Sequence, residues 1–193
     1  MRRLGKYATT VVVFLAALAL PASAQTASAV SLQVSGLWNK PFGGGLDGLS
    51  PGVGGEAQLR WSPGLFSLGF GGEISSHDIT GTDRIVKLTG AFIEPRYVIP
   101  TSSQSVALYL AARAAVSQTT FEVADLTSTG TGFTANAGGG LLIVLGSSVN
   151  LDLGFSIGAK GLGVATVETV PPSTFDLGSG SNVIVRVGLA IGL

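Results

Sequence analysis

The residues richest in chemistry lie together at Glu73-Ile74-Ser75-Ser76-His77-Asp78, which holds two hydroxyls, two carboxylates and the only histidine of the 193-residue chain. A serine beside a histidine base, with a carboxylate to orient the ring, is the set that performs acyl transfer and hydrolysis. Those roles require convergence in space, which adjacency in sequence does not supply. A polar loop accounts for the stretch more simply, and no catalytic residue is assigned from it. A second group is scattered: Glu56, Arg60, Glu73, Glu94, Arg96, Arg113, Asp152, Lys160 and Arg186 each interrupt a run of apolar or small residues. Buried charges must be paired and hydrogen-bonded. The expected partners are Glu56 or Glu73 for Arg113, and Glu94 or Asp152 for Arg60, Arg96 and Arg186. Such a network reads as an internal plug, with a narrow ion path as the functional alternative.

Other chemistries find no support. The chain has no cysteine, so neither a disulfide scaffold nor a thiolate metal site is available. Asp47, Asp78 and Asp83 lack calcium-loop spacing, and neither metal nor cofactor is expected. Gly43-Gly44-Gly45 and Gly138-Gly139-Gly140 are not phosphate loops, because no Lys-Ser/Thr follows either. The first reads as a flexible surface loop, the second as a bend or close approach within a strand.

The elements that carry the scattered charges are period-two runs, in which successive side chains point to opposite faces. In the last run Val183, Val185, Val187, Leu189, Ile191 and Leu193 share one face, opposite Asn182, Ile184, Arg186, Gly188, Ala190 and Gly192. In the run before it Val149, Leu151, Leu153, Phe155 and Ile157 oppose Asn150, Asp152, Gly154, Ser156, Gly158 and Lys160. Upstream runs divide the same way: Val30, Leu32, Val34 and Trp38 against Ser31, Gln33 and Ser35; Leu59 and Trp61 against Glu56, Gln58 and Arg60. Phe66, Leu68, Phe70 and Ile74 oppose Ser67, Gly69, Gly71 and Glu73, while Leu108, Leu110, Ala112, Ala114 and Val116 oppose Tyr109, Arg113 and Ser117. Run six sets Phe133, Ala135 and Ala137 against Thr134, Asn136 and Gly138. Only Ile85 to Ile99 breaks phase, with Lys87 and Thr89 odd but Glu94 and Arg96 even. A one-residue bulge near Gly90–Ile93 brings all four to one face, with Pro95 as a natural ladder break. Otherwise Lys87 reaches the membrane surface by snorkelling.

Eight runs are thus joined by alternating connections. Short turns fall at 62–64, 100–105 and 146–148, and longer loops at 39–52, 76–84, 118–132 and 161–177. One face of each run is apolar and nearly free of charge. The other is small and polar, an odd exterior for a soluble barrel. With 46% hydrophobic but only 11% charged residues, against about 25% in an ordinary soluble domain, the composition points to a membrane protein. An apolar exterior over a polar lumen, in an even number of antiparallel strands with short turns at one end, is the pattern of an outer-membrane β-barrel. Closure also pairs every backbone group, as hydrocarbon demands. Trp38, Trp61, Phe66, Tyr97 and Phe133 lie near run ends, where interfacial aromatics belong.

The N-terminus reads as a secretory signal peptide over 1–24: basic Arg2, Arg3 and Lys6, an apolar core from Thr10 to Leu20, and small residues Ala22 and Ala24 at the cleavage site. Residues 25–193 are then the barrel. Without Arg2, Arg3 and Lys6 the 11 basic residues fall to 8 against 11 acidic ones, a net charge of −3 that argues against nucleic acid. The chain ends Arg186-Val187-Gly188-Leu189-Ala190-Ile191-Gly192-Leu193. This ending resembles the C-terminal signal of bacterial outer-membrane barrels, in which a polar residue, a glycine and two hydrophobic positions stand where Arg186, Gly188, Ile191 and Leu193 stand here. The family's last residue is usually aromatic, and Leu193 departs from that. With the eight runs, the chain resembles the small barrels typified by OmpX and the OmpA transmembrane domain. The resemblance implies an eight-stranded, antiparallel, up-and-down all-β transmembrane barrel in the outer membrane. It also implies contact with lipid and lipopolysaccharide, recognition by the barrel-assembly machinery, and a non-enzymatic structural or surface-loop binding role. Some barrels of this size modify lipid A with a Ser/His/acid set at the outer rim, which would make Ser75, Ser76 and His77 the residues concerned. The local pattern does not match the His-x-Ser of the deacylase type. A small selective channel and a soluble lipocalin-like ligand binder complete the alternatives.

Overall fold

The computed structural model describes residues 29–99, 101–103, 105–123, 126–167 and 173–193. The signal-peptide segment 1–24 lies outside the described residues. Alternation has produced strands throughout: β1 (Val30–Phe42), β2 (Gly52–Trp61), β3 (Phe66–Asp78), β4 (Ile85–Ile99), β5 (Val106–Val123), β6 (Leu126–Val144), β7 (Val149–Gly161), β8 (Val164–Val167), β9 (Ser173–Asp176) and β10 (Ser179–Gly192), with one 3₁₀ turn, η1 (Gly44–Leu46). The long strands pair in the order β5-β4-β3-β2-β1-β10-β7-β6, and β5 pairs with β6, so the sheet closes on itself. Every pairing is antiparallel. The chain therefore forms a closed eight-stranded barrel. β8 and β9 make a small hairpin outside the ring, docked on β6 through Thr129↔Thr166 and Gly130↔Ala165.

Two expectations need correction. The stretch 118–132 is not a loop. β5 and β6 continue through it in one unbroken register, Gln118↔Thr131 to Val123↔Leu126. Among the described residues of 161–177, Gly161, Val164–Val167 and Ser173–Asp176 are likewise strand. Both segments are rich in Ser, Thr and Gly and carry no continuous apolar face. They hide as strands because they pair beyond the lipid, where no apolar signature is needed. The second correction concerns β4, which contains no bulge. It pairs with β3 in constant register from Phe66↔Tyr97 to Asp78↔Ile85. Its ladder to β5 breaks only at Glu94 and Pro95, then resumes in phase. Even residues face inward all along β4, and Lys87 and Thr89 face outward.

The physical reason is an inversion of polarity along the barrel axis. Through the middle of each strand the outward residues are apolar, as in Leu108, Leu110 and Val116 on β5 or Val185 and Val187 on β10, and the inward ones are polar. Towards the long-loop end the outward face turns polar: Lys40 follows Trp38, Ser76 and Asp78 follow Ile74, and Gln118 follows Val116. There the inward face of β4 and β5 turns apolar, while Asn39, His77, Lys160 and Asn182 stay inward on β1, β3, β7 and β10. Val86, Leu88, Phe121, Leu162 and Ala165 pack with Leu46 of η1, and Leu49, Ile79 and Leu177 cover them. β4 and β5 leave the lipid and enter water without changing phase. The alternation that put apolar residues outside now builds a core of the soluble kind, worth about 1.5–3 kcal/mol per fully buried large side chain.

The glycine triplet of the first loop leads into this cap, with Gly44 and Gly45 at the surface just before Leu46. Gly43 and Gly44 adopt left-handed φ values of 74° and 57°, and a Cβ on Gly44 would stand 2.2 Å from the Ser179 carbonyl oxygen. The loop thus lies backbone to backbone against the start of β10. The opposite end of the barrel carries the short turns, both described termini, and an aromatic cluster. Trp61, Phe66 and Tyr97 face outward there, with the Phe66 and Tyr97 rings 5.0 Å apart. Trp38 and Phe133 mark the other edge of the apolar band.

Candidate functional site: the sealed lumen

Side chains that interrupt apolar runs in the sequence meet inside the barrel. Glu94 is the hub. Its Oε1 accepts from Arg60 Nη2 at 2.8 Å and Arg96 Nε at 2.7 Å. Its Oε2 accepts from Arg113 Nε at 2.9 Å and from Arg186 Nη1. One carboxylate therefore serves guanidiniums from β2, β4, β5 and β10. Arg113 also donates to Glu73 at 2.9 Å and lies 2.7 Å from Glu56, an ion pair set off the hydrogen-bonding direction. Arg186 approaches Glu56 at 3.5 Å. Asp152 is the second anchor, taking Arg96 Nη1, Gln33 Nε2 and the Tyr109 hydroxyl, each at 2.6 Å. Gln58 bridges Gln33 and Arg60 at 2.9 Å on each side. Arg96 stacks on the Tyr109 ring and Arg113 on the Phe92 ring, at 4.3 and 3.8 Å to the centroids.

The network joins both partners that the sequence offers Arg113, since it takes Glu56 and Glu73 together. Gln33, Gln58 and Tyr109 carry no charge and so do not stand out in the sequence, although each falls in the inward phase of its strand. Lys160 is inward and buried but joins none of these ion pairs.

Inward glycines make room for the belt. A Cβ on Gly154 would meet Arg186 Nε at 2.5 Å and the Tyr109 hydroxyl at 2.9 Å, and one on Gly69 would meet Arg60 Nη2 at 2.7 Å. Gly140, in the triplet read as a close approach, lies under Tyr109: its Cβ would meet the hydroxyl at 2.4 Å. Below the belt, a cavity of about 210 Å³ opens between the short turns and reaches Arg60, Arg96, Ser67 and Asn150. Above it stands the apolar cap.

A closed barrel with an apolar waist and a charged, filled lumen is the architecture of one class of membrane protein, and the sequence matches its model. The outer-membrane protein β-barrel domain aligns with residues 10–188. The chain belongs to that family. Its members' address, the bacterial outer membrane, is therefore this protein's, and the soluble ligand-binding alternative falls with the outward apolar band. Among solved structures, the outer-membrane barrel of Neisserial surface protein A superposes with a TM-score of 0.58 at 18% identity, over 88% of this chain and 100% of that one. A major outer membrane protein of Thermus thermophilus gives 0.53 at 13% identity, over 84% and 99%. These likenesses are of fold. No curated protein matches the sequence. By the rule for such barrels, the short turns are periplasmic and the capped end extracellular.

The Ser/His stretch of this outer-membrane barrel does not form a rim site. Ser75 and His77 point inward, and Ser76 and Asp78 outward. His77 is 1% exposed. Its Nδ1 lies 3.1 Å from the Ser50 carbonyl oxygen, so that nitrogen carries the proton and donates. Nε2 lies 3.2 Å from the Ser75 hydroxyl and, in the neutral form that burial favours, accepts from it. A carbonyl stands where a triad would place a carboxylate. At the C-terminus, Arg186 is in the belt, Gly188 faces inward against Ser35, and Ile191 and Leu193 face outward at the periplasmic end.

Proposed function

We propose that this outer-membrane barrel is non-enzymatic and non-conducting, and that it works outside the membrane as a rigid platform for surface binding. The observation that carries this reading is the polarity inversion. The lumen is filled at mid-height by the belt around Glu94 and closed above by the Leu46–Phe121 cap. Meanwhile β5 and β6, at 18 and 19 residues, run well past the 9–11 that a bilayer needs. With β8 and β9 alongside, they raise a four-stranded sheet into the extracellular space. Lys40 and Lys87 face outward just beyond the apolar band, where lipopolysaccharide phosphates lie. The ending from Arg186 to Leu193 serves as the assembly signal, its lipid-facing side open to the barrel-assembly machinery. Residues 1–24 serve as the export signal.

The test has two arms. Purified protein in planar bilayers gives no stepwise conductance. Cells bearing the full chain adhere to immobilised host-matrix protein or glycan, and cells bearing a chain with 164–176 replaced by a short Gly-Ser turn lose that adhesion while the shortened barrel keeps its heat-modifiable gel mobility. Reproducible conductance steps favour the second reading, a small selective channel entered through the periplasmic cavity at Arg60 and Arg96. Equal adhesion by both chains removes the platform role from the β8–β9 sheet.

A further inference from the structure

Between the belt and the cap lies a layer that neither accounts for. Strand order defines it. On β5, Ser117 and Thr119 stand between Arg113 of the belt and Phe121 of the cap; on β7, Lys160 stands between Asp152 and Leu162, the residue just past the strand's end. Across the ladders Lys160 lies opposite Thr134 on β6 and Gly180 on β10, and one step below it Gly158 lies opposite Asn136 and Asn182. All of these polar side chains are buried.

Two features of the layer call for a ligand. The first is charge. The inward charged side chains among the described residues are five buried cations, Arg60, Arg96, Arg113, Arg186 and Lys160, against three buried anions, Glu56, Glu94 and Asp152, and the half-buried Glu73. The four arginines all pair within the belt, and of the four carboxylates only Glu73 also acts on Lys160. His77, which burial holds in its neutral form, adds no charge. Lys160, 2% exposed, makes none of the ion pairs among the described residues and leaves the lumen one cation in excess, a costly state unless a further counter-charge is present. The second feature is hydrogen bonding. Ser117 Oγ, Thr119 Oγ1, Ser128 Oγ, Thr134 Oγ1 and both polar atoms of the Asn136 amide are buried without a protein partner. Buried polar groups are almost always satisfied, by solvent or an ion where not by protein. Asn136 Oδ1 and Asn182 Oδ1 only accept, but the Ser117 and Thr134 hydroxyls and the Asn136 amide NH₂ can donate beside the Lys160 ammonium, and donors around one surplus positive charge suit an anion.

We propose that this polar layer binds a single small monovalent anion of the halide class. Lys160 Nζ supplies the charge, and Thr134, Asn136 and Ser117 supply neutral donors. One negative charge balances the lumen. A dianion such as phosphate overshoots the balance and brings four oxygens into a space walled by β-strands. The anion stays in place because the cap excludes water above and the belt blocks passage below.

The experiment is to refold and crystallise the full chain with bromide in place of chloride and to collect data at the bromine edge. An anomalous peak beside Lys160 Nζ, absent from Lys160→Met crystals grown in the same way, is the expected result. In parallel, the unfolding midpoint of wild type is higher in bromide than in gluconate at equal ionic strength, and Lys160→Gln abolishes the difference. Bromide confined to the outer surface, with water beside Nζ, overturns the proposal. So does a wild-type midpoint that is the same in both salts, an outcome read on wild type alone should neither variant fold.

Discussion

Replacing Glu94 with glutamine removes one negative charge and almost no volume, so it isolates what the hub does. In wild type four guanidinium groups converge on this carboxylate, from Arg60, Arg96, Arg113 and Arg186. Its side chain is 2% exposed, so water cannot stand in. In Glu94→Gln the amide oxygen accepts from two of the four donors at most, and the amide NH₂ turns its own hydrogens towards the others. The belt is left with four cations facing Glu56, Glu73 and Asp152. Breaking one buried pair costs about 3–5 kcal/mol, mainly through the stranded partner. Glu94 strands more than one, which puts the expected loss at the top of that range, about 5 kcal/mol. Against a typical total of about 5–15 kcal/mol, that is a third of the stability or more. Equilibrium unfolding in urea, with the barrel refolded into phospholipid vesicles and folding read from the mobility of unheated samples, measures it directly. A loss below about 1 kcal/mol, the scale of an exposed pair, would refute the reasoning that the belt is a buried, interdependent network.

Other variants test separate parts of the account. Gly154→Ala places a Cβ 2.5 Å from Arg186 Nε and costs about 1–3 kcal/mol by overpacking, whereas Gly146→Ala, with nothing within 4 Å of the added carbon, leaves the heat-modification temperature unchanged. Val187→Arg on the lipid face of β10 costs about 2–4 kcal/mol, while Gln118→Arg, outward but above the band, leaves the urea midpoint where it was. Leu46→Ala opens the cap at a fully buried position and costs about 2–5 kcal/mol. Limited proteolysis then cuts the long-loop end while the lipid-embedded strands stay resistant.

The fold is legible because lipid forces a strict rule onto the sequence. Where β1, β2, β3, β5, β7 and β10 cross the apolar band, every second residue must be apolar, and the phase can be read from single positions such as Leu108 or Val187. The rule stops where the lipid stops, and there the sequence misleads. Lys87 and Thr89 look like a phase slip only if they are placed in the band, yet they are the outward residues of a strand already in water. The Thr- and Gly-rich stretch 118–132 looks like a loop for the same reason. Within the lumen, the identities of the charged residues are visible as interruptions of apolar runs. The convergence on Glu94 is not, because it depends on four strands distant in sequence meeting at one height. Ser75 and His77 share a face by their spacing of two, but nothing local shows that the face is sealed.

The central claim, that one continuous alternation faces lipid outside at mid-height and inverts above it, can be measured along a single strand. The chain has no cysteine, so single substitutions on β5 report cleanly. In vesicles, Leu110→Cys and Val116→Cys are expected to react with a lipid-soluble maleimide and not with a charged one. Gln118→Cys reacts with the charged reagent from outside, and Thr119→Cys and Phe121→Cys resist both. Charged-reagent labelling at Val116, or at Thr119 and Phe121 in place of Gln118, would contradict it.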